Sequence, residues 1–207
     1  MRKACMLLVG AAALLAFSVN QSVAAPEKVG QVDKLQGQAE ASQGSQKRDL
    51  AAAGDVLFLD RIETGDAARM EATLADSTKV TLGEHGRLVI DKFVYNPDKQ
   101  GGALSIRVNG AFLFVGGKIE GPTGGNVAIK TPVGTLGVRG TTVWGGFIDG
   151  GYGVLVLDGE VTVHTEHGLV TLRKGQGTMI YGNNAPNKAA PWPDRRVKAA
   201  VATISFK

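Results

Sequence analysis

The chain has 207 residues, of which 43% are apolar and 20% charged, with a mean hydropathy of +0.02. That balance excludes a disordered polypeptide and a polytopic membrane protein, and the length suffices for one sizeable core with short appendages. Twenty-nine glycines without a Gly-x-y period exclude collagen; with scarce aromatics they read as many short strands joined by tight turns.

The first 24 residues read as a secretory signal peptide. Arg2 and Lys3 form a basic start, residues 6–17 are apolar, and Ser22-Val23-Ala24 supplies small side chains for cleavage. Cleavage is expected after Ala24, because a cut after Ala25 would leave Pro26 at the new terminus. The competing reading is an uncleaved anchor, but the apolar run falls short of the ~20 residues that span a bilayer. Cys5 lies too early to be a lipoprotein acylation site. The expected location is therefore the periplasm or the extracellular space, with no stable membrane anchor after cleavage.

Cleavage leaves 183 residues with 21 bases and 19 acids, a net charge of +2. Residues 188–207 carry +4, from Lys188, Arg195, Arg196, Lys198 and Lys207 against Asp194, so residues 25–187 carry −2. A nucleic-acid binder needs a basic face within its domain, so no nucleic-acid partner is expected. The one cysteine is removed with the signal, which excludes a disulfide, a thiolate metal site and a cysteine nucleophile in the mature chain.

In chain order, Val29 to Val32 opens the first strand. Residues 33–49 are polar, with Gly37 and Gly44 marking turns. Residues 50–59 suggest a loop and a strand. Strands follow at 69–74, 79–82 and 88–90, each closed by Gly, Asp or Ser, and residues 91–102 read as a strand end and an exposed loop. Further strands fall at 104–108, 111–115 and 127–129, before Pro132, which marks an edge or a terminus. Gly116-Gly117 and residues 121–125 are breakers. Asp158-Gly159 between Val154, Val156 and Val161, Val163 predicts a two-residue hairpin. Glu166-His167-Gly168 turns the chain again, residues 170–172 form a strand, and residues 174–177 turn into a strand at 178–181. Residues 182–193 hold three prolines and read as a linker. The tail has Asp194 as an N-cap candidate, with Val197, Ala200, Val201 and Ile204 at helical spacing; it predicts a short amphipathic helix that packs on the domain or frays, or whose basic face meets a membrane or an acidic partner.

Three stretches carry a resemblance. The main one is Thr131-Pro132-Val133-Gly134-Thr135-Leu136-Gly137-Val138-Arg139-Gly140-Thr141. The second is Asp60-Arg61-Ile62-Glu63-Thr64-Gly65 together with the run from Leu74-Ala75-Asp76-Ser77-Thr78 to Leu82. The third is Leu157-Asp158-Gly159-Glu160-Val161 with Gly175-Gln176-Gly177. Their order and spacing resemble the FecR-domain family over roughly residues 50–180. The resemblance implies an all-β extracytoplasmic module which, in the regulators it resembles, relays transporter occupancy at the outer membrane to a cytoplasmic sigma factor. This sequence differs in having a cleavable signal where those regulators have a cytoplasmic region and anchor. Its length leaves no obvious room for their further βαβ domain, so sigma-factor control by this chain alone is not expected. The family's Asp-Gly-Ser turn is Asp76-Ser77-Thr78 here.

Within the motif, Thr131, Pro132, Gly137, Val138, Arg139, Gly140 and Thr141 are the candidate structural or binding residues. Arg139, between glycines, has two readings: an internal brace that satisfies carbonyls or pairs a carboxylate such as Asp76, which is favoured, and an anion or ligand clamp. His164, Glu166 and His167 cluster, but zinc needs three or four converging ligands, so a surface turn is preferred. The glycine loops at 124–126 and 149–153 lack the Lys-Ser/Thr of a phosphate loop. No G-x-S-x-G elbow is present and nothing selects two carboxylates as a glycosidase pair. Trp144 and Phe147 would stack on a sugar only if exposed.

The expected architecture is all-β, a β-solenoid-like stack or compact β-sandwich of short strands, over residues 25–182, followed by a linker and basic tail at 183–207. The expected role is non-catalytic and cofactor-free: a protein- or ligand-binding module of the envelope, possible in signal sensing, where a partner adds to a free edge strand. The alternative is a structural or carbohydrate-binding surface module; a hydrolase would need two convergent carboxylates in a cleft.

Overall fold

Alternating burial builds nearly every element of this chain. In the strand Arg69–Leu74, Met70, Ala72 and Leu74 are buried while Glu71 and Thr73 are not, so one face enters the core at a period of two. The computed structural model describes residues 26–99, 101–120 and 125–207. The expected signal peptide and its cleavage site after Ala24 lie outside the described residues, as does most of the 121–125 breaker. Among the described residues, no helix is long and apolar enough to cross a membrane.

The strands are β1 (Lys28–Gln36), β2 (Ala39–Gln43), β3 (Gln46–Asp49), β4 (Asp55–Leu57), β5 (Arg61–Thr64), β6 (Arg69–Leu74), β7 (Lys79–Leu82) and β8 (Arg87–Tyr95). They continue as β9 (Gly102–Asn109), β10 (Phe112–Val115), β11 (Asn126–Thr131), β12 (Gly134–Ile148), β13 (Gly151–Thr165), β14 (Gly168–Arg173), β15 (Gln176–Ile180) and β16 (Ala190–Pro191). Among the described residues a 3-10 turn at Lys118–Glu120 and one helix, α1 (Asp194–Ala202), are the remaining elements. The protein is nearly all-β, as its composition implies.

All sixteen strands join in one sheet that curls into two wings. The long hairpin β12–β13 belongs to both. Residues 134–138 pair with β11 while 142–145 pair with β10. Likewise 160–165 of β13 pair with β14 while 152–155 pair with β15. The first wing therefore runs β3-β2-β5-β8-β9-β11-β12-β13-β14, and the second runs β4-β1-β6-β7-β10-β12-β13-β15-β16. Among the described residues only β9 with β11 is parallel. Residues from both wings, including Ile62, Leu88, Ile106, Ile129 and Val163 of the first and Val80, Phe112, Phe114 and Val154 of the second, form a single buried cluster. The curled sheet thus packs on itself, the sandwich solution to burying one apolar face per wing.

Two sequence expectations change. The Asp158-Gly159 step is not a hairpin: it lies inside β13, at the bend where the strand leaves one wing for the other. Gly159 has φ +80, and a Cβ there would collide with the Gly140 carbonyl oxygen, so the positive-φ glycine serves a bulge. The two-residue hairpin sits instead at Asp149-Gly150, with φ +50 and +76, joining Ile148 to Gly151. The helix α1 also starts differently: Pro193 is its N-cap, with no side-chain cap bond, and Asp194 is already within the first turn.

Helix α1 lies against the outer face of the second wing. Ala200 and Ile204 join Trp144, Leu155, Met179 and Trp192 in a second buried cluster. Trp144 packs edge-on against Trp192 with ring centroids 6.0 Å apart, and its indole N–H donates to Thr203 Oγ1 at 3.1 Å.

Candidate functional site at the sheet crossing

The family-like motif occupies the bend of β12. Between Arg139 and Thr142 the register with β13 shifts, and Gly140 adopts φ +58. A bulge leaves backbone groups without ladder partners, and Thr141 meets that need. Its side chain is buried; Oγ1 donates to the Glu160 carbonyl at 2.9 Å and accepts the Arg139 N–H at 3.0 Å. Its own N–H donates to Glu120 Oε2 at 3.0 Å, and its carbonyl accepts the Gly116 N–H at 2.9 Å. Thr141 therefore ties β12, β13 and the loop around Lys118–Glu120 together.

Asp76 braces the other side of that loop. It is fully buried, accepts the Thr78 N–H at 3.1 Å and its hydroxyl at 2.7 Å, and meets the Ile119 N–H at 3.4 Å; its carbonyl accepts the Lys118 N–H at 2.7 Å. Burial pushes the Glu120 carboxyl above its usual range, and nearby Asp76 adds to this, while the Thr141 and Gly140 N–H groups oppose it. The remaining resembling residues behave alike. Buried Asp60 accepts the Leu57 N–H at 2.8 Å and pairs with Arg48. Buried Thr64 donates to the Gly83 carbonyl at 2.6 Å and accepts the Gly86 N–H at 2.8 Å. Four polar side chains of the quoted motifs are thus turned inward onto turn backbone.

Arg139 does not join them. Its side chain is exposed, and the expected pairing with Asp76 is not formed. The alternation of β12 explains this: Leu136 and Val138 face the core, which sends Gly137 and Arg139 outward. Gly137 faces an open outer surface, and Thr131 closes the β11–β12 turn by donating to the Gly134 carbonyl at 2.9 Å; Pro132 is exposed in that turn. Sequence reasoning placed the brace on the arginine, named Thr141 only as one member of the motif, and missed Glu120. The signal for Thr141 was a hydroxyl beside a positive-φ glycine; Glu120 carries none.

Other candidates disperse. His164 is exposed on β13, and Glu166-His167 forms the β13–β14 turn; His85 pairs with Asp66 at 3.1 Å elsewhere. Among the described residues no three His, Cys, Asp or Glu side chains converge as metal ligands. A cleft of about 600 Å³ lies between the 131–135 turn, the end of β13 and residues 182–184, and Glu166 is its one carboxylate. Trp144 is wholly buried, so it offers no stacking platform to a sugar. Phe147 is 60% exposed and packs edge-on to buried Tyr152, centroids 5.1 Å apart; burial raises the Tyr152 hydroxyl pKa strongly.

Four strands end the wings: β3, β14, β4 and β16. Their chemistry differs. β3 carries Lys47, Arg48 and Asp49, β4 has three residues, and β16 has two, one of them Pro191. Charge, brevity and proline are the usual protections of an edge. β14, Gly-Leu-Val-Thr-Leu-Arg, has six residues, no proline and one terminal charge, and Leu169 is 58% exposed.

Residues 60–162 match the family model described as FecR protein. Two crystal structures from Parabacteroides distasonis ATCC 8503, each described as a candidate anti-sigma factor, share the fold. One has a TM-score of 0.55 at 16% identity, covering 68% of this chain and 63% of that one. The other has a TM-score of 0.54 at 17% identity, covering 68% and 64%. This chain thus spans under two thirds of the length of those structures. No curated protein matches it.

Proposed function

The chain belongs to the FecR family over residues 60–162, and from that premise we propose that it is an exported, non-catalytic binding module of the cell envelope that takes part in signal sensing. The observation that carries this reading is the inward use of the motif. Asp60, Thr64, Asp76 and Thr141 are buried and bonded to turn backbone, so the motif builds a scaffold and leaves recognition to the surface. On that surface β14 is the edge without protection, and an extended segment of a protein partner adds there as a further strand. Main-chain bonds supply affinity, and Leu169 and Thr171 on the outward face supply contacts. The periplasm is the compartment in which the module works, reached through the signal peptide of residues 1–24. The module comprises residues 25–182, with 183–207 as an appendage, and Arg139, on the outer surface, is available to a partner.

The test joins location to recognition. Cell fractionation should place the protein in the periplasmic or secreted fraction, with residues 1–24 removed. Envelope extracts passed over the wild-type protein and over Leu169→Lys/Thr171→Lys should yield a partner that only the former retains. Cytoplasmic retention, or identical recovery on both, refutes the reading.

A further inference from the structure

We propose that the outer face of the first wing is a docking surface for an acidic, carboxylate-bearing segment of a protein partner. The inference does not rest on strand addition at β14. It starts from register. Arg61 lies opposite Val89, Val89 opposite Arg107, and Arg107 opposite Lys130, so these four share one row across β5, β8, β9 and β11. The row points away from the core, since Ile62, Leu88, Ile90, Ile106 and Ile129 take the inner positions. Arg87, two residues before Val89 on the same outer face, extends the group along β8. Neighbouring strands lie about 4.8 Å apart, so Arg61 and Lys130 stand roughly 15 Å from each other across the sheet. A shallow groove of about 410 Å³ runs among these residues, lined also by Val89 and Pro132.

Two carboxylates hold the cations in place. Glu63 bonds Arg61 through Nε at 3.1 Å and Nη2 at 2.9 Å, and bonds Arg87 through Nε. Asp91, whose side chain is only 11% exposed, pairs with Arg107 Nε and Lys130 Nζ, each at 3.0 Å. Four cations thus share two anions, which leaves this group of six at +2, although residues 25–187 as a whole carry −2. Arg87 and Arg107 use Nε for these pairs. These are the closest contacts of each pair, and the terminal Nη groups of each arginine form a fork that fits a carboxylate bidentately.

The occupant follows from this pattern. Pre-fixed guanidinium groups lose less freedom on binding than free ones. A shallow groove with fixed forks suits an extended acidic peptide. A flat anionic bilayer would favour a denser, unbroken field of cations and a fringe of inserted aromatic side chains, and Glu63 and Asp91 interrupt such a field. Nucleic acid is disfavoured by the same interruption and by the small excess charge.

The test uses a dye-labelled octaglutamate peptide titrated with the purified protein and followed by fluorescence anisotropy. Binding should appear at low salt and weaken as salt rises. Arg87→Gln/Arg107→Gln should bind roughly tenfold more weakly. Arg195→Gln/Lys198→Gln removes the same charge from the exposed tail and should stay within about twofold of wild type. Thermal melting of both variants checks that they fold. No binding at low salt overturns the proposal, as do equal losses in the two variants, which would show a response to net charge alone. Capture by phosphatidylglycerol vesicles that depends on Arg87 and Arg107, without capture of the peptide, overturns it in favour of a lipid surface.

Discussion

Replacing Thr141 by valine keeps the volume and β-branching of the side chain and deletes only its hydroxyl. That hydroxyl donates to the Glu160 carbonyl and accepts the Arg139 N–H, and its residue is 3% exposed. Both backbone partners lie at a bulge, where the ladder offers no substitute. Leaving each unsatisfied costs about 1–3 kcal/mol, about 4 kcal/mol for the two at the middle of that range, and the added buried methyl returns at most about 1 kcal/mol, for a net loss of about 3 kcal/mol. In a domain of this size each kcal/mol moves Tm by about 2–4 °C, so Thr141→Val should melt about 5–15 °C lower by circular dichroism. Thr141→Ser, which keeps the oxygen, should recover most of the difference. Arg139→Ala should move Tm by no more than about 2 °C, because an exposed substitution is worth about 0.5 kcal/mol or less. A melting point unchanged in Thr141→Val and depressed in Arg139→Ala would restore the brace to the arginine and refute the account of the crossing.

Two further measurements probe the same junction. Gly159→Ala and Gly175→Ala start from nearly equal φ, +80 and +79, but a Cβ meets the Gly140 carbonyl at the first and nothing within 4 Å at the second. Both carry the strain of a left-handed alanine, about 1–2 kcal/mol, so any excess loss in urea denaturation of Gly159→Ala measures the collision; equal losses would mean that the crossing relaxes freely. Glu120 supplies the pH test. Its folded carboxyl titrates above the unfolded one, so the native state binds more protons, and its contribution declines as pH rises from the unfolded value through the folded one. The Tm difference between Glu120→Gln and wild type should therefore be more favourable to the variant near pH 7.5 than near pH 4; a pH-independent difference refutes the sign. The carboxyls of Glu63 and Asp91 work oppositely. Arg87 and Arg61 hold Glu63 below its usual range, while at Asp91 burial is outweighed by the Ser105 hydroxyl, Lys130 and Arg107, so their stabilisation is lost as pH falls through the carboxylate range.

The elements that were legible in the sequence are those whose alternation is uninterrupted. Residues 69–74 and 79–82 were placed to the residue because one side of each strand is apolar and a turn closes it. The strands β2 and β3 were hidden in a polar stretch because they lie near an edge, where Ala39 and Ala41 alone enter the core. The longest strands were hidden by glycine. β12 contains Gly134, Gly137, Gly140, Gly145 and Gly146, a composition that reads as turns. Packing explains two of them: a Cβ at Gly145 would strike the Phe112 ring, and one at Gly146 would press on Ala111. Local propensity signals a turn wherever glycine appears, whereas here glycine marks close approach between neighbouring strands. The Asp-Gly cue failed at 158–159 for the same reason, while the step that does close a hairpin, 149–150, was read only as part of a glycine loop; no strand faces that turn. At the site, the motif's position was legible and the division of labour inside it was not, since the phase of Arg139 depends on which side of the bulge is counted.

The two outer faces of the curled sheet are built for different fates. On the second wing the outward positions are Trp144, Leu155 and Met179, an apolar surface that needs a cover, and α1 with Trp192 supplies it. Further bonds pin that cover: Arg196 to Asp149 at 2.8 Å and the Lys207 N–H to Gln36 at 2.8 Å. On the first wing the equivalent positions are Arg61, Val89, Arg107, Lys130 and His164, polar enough to stand in water without a lid. The unprotected edge strand β14 belongs to that same wing, and the row from Lys130 through Thr135 and His164 leads directly to its Leu169. A partner that added a strand at β14 would thus find a charged sheet face beside it. A partner approaching the second wing would first have to displace a packed helix and expose two tryptophans. The C-terminal segment therefore does more than fill a hydrophobic patch: by closing one face it leaves the other as the surface on which recognition can occur.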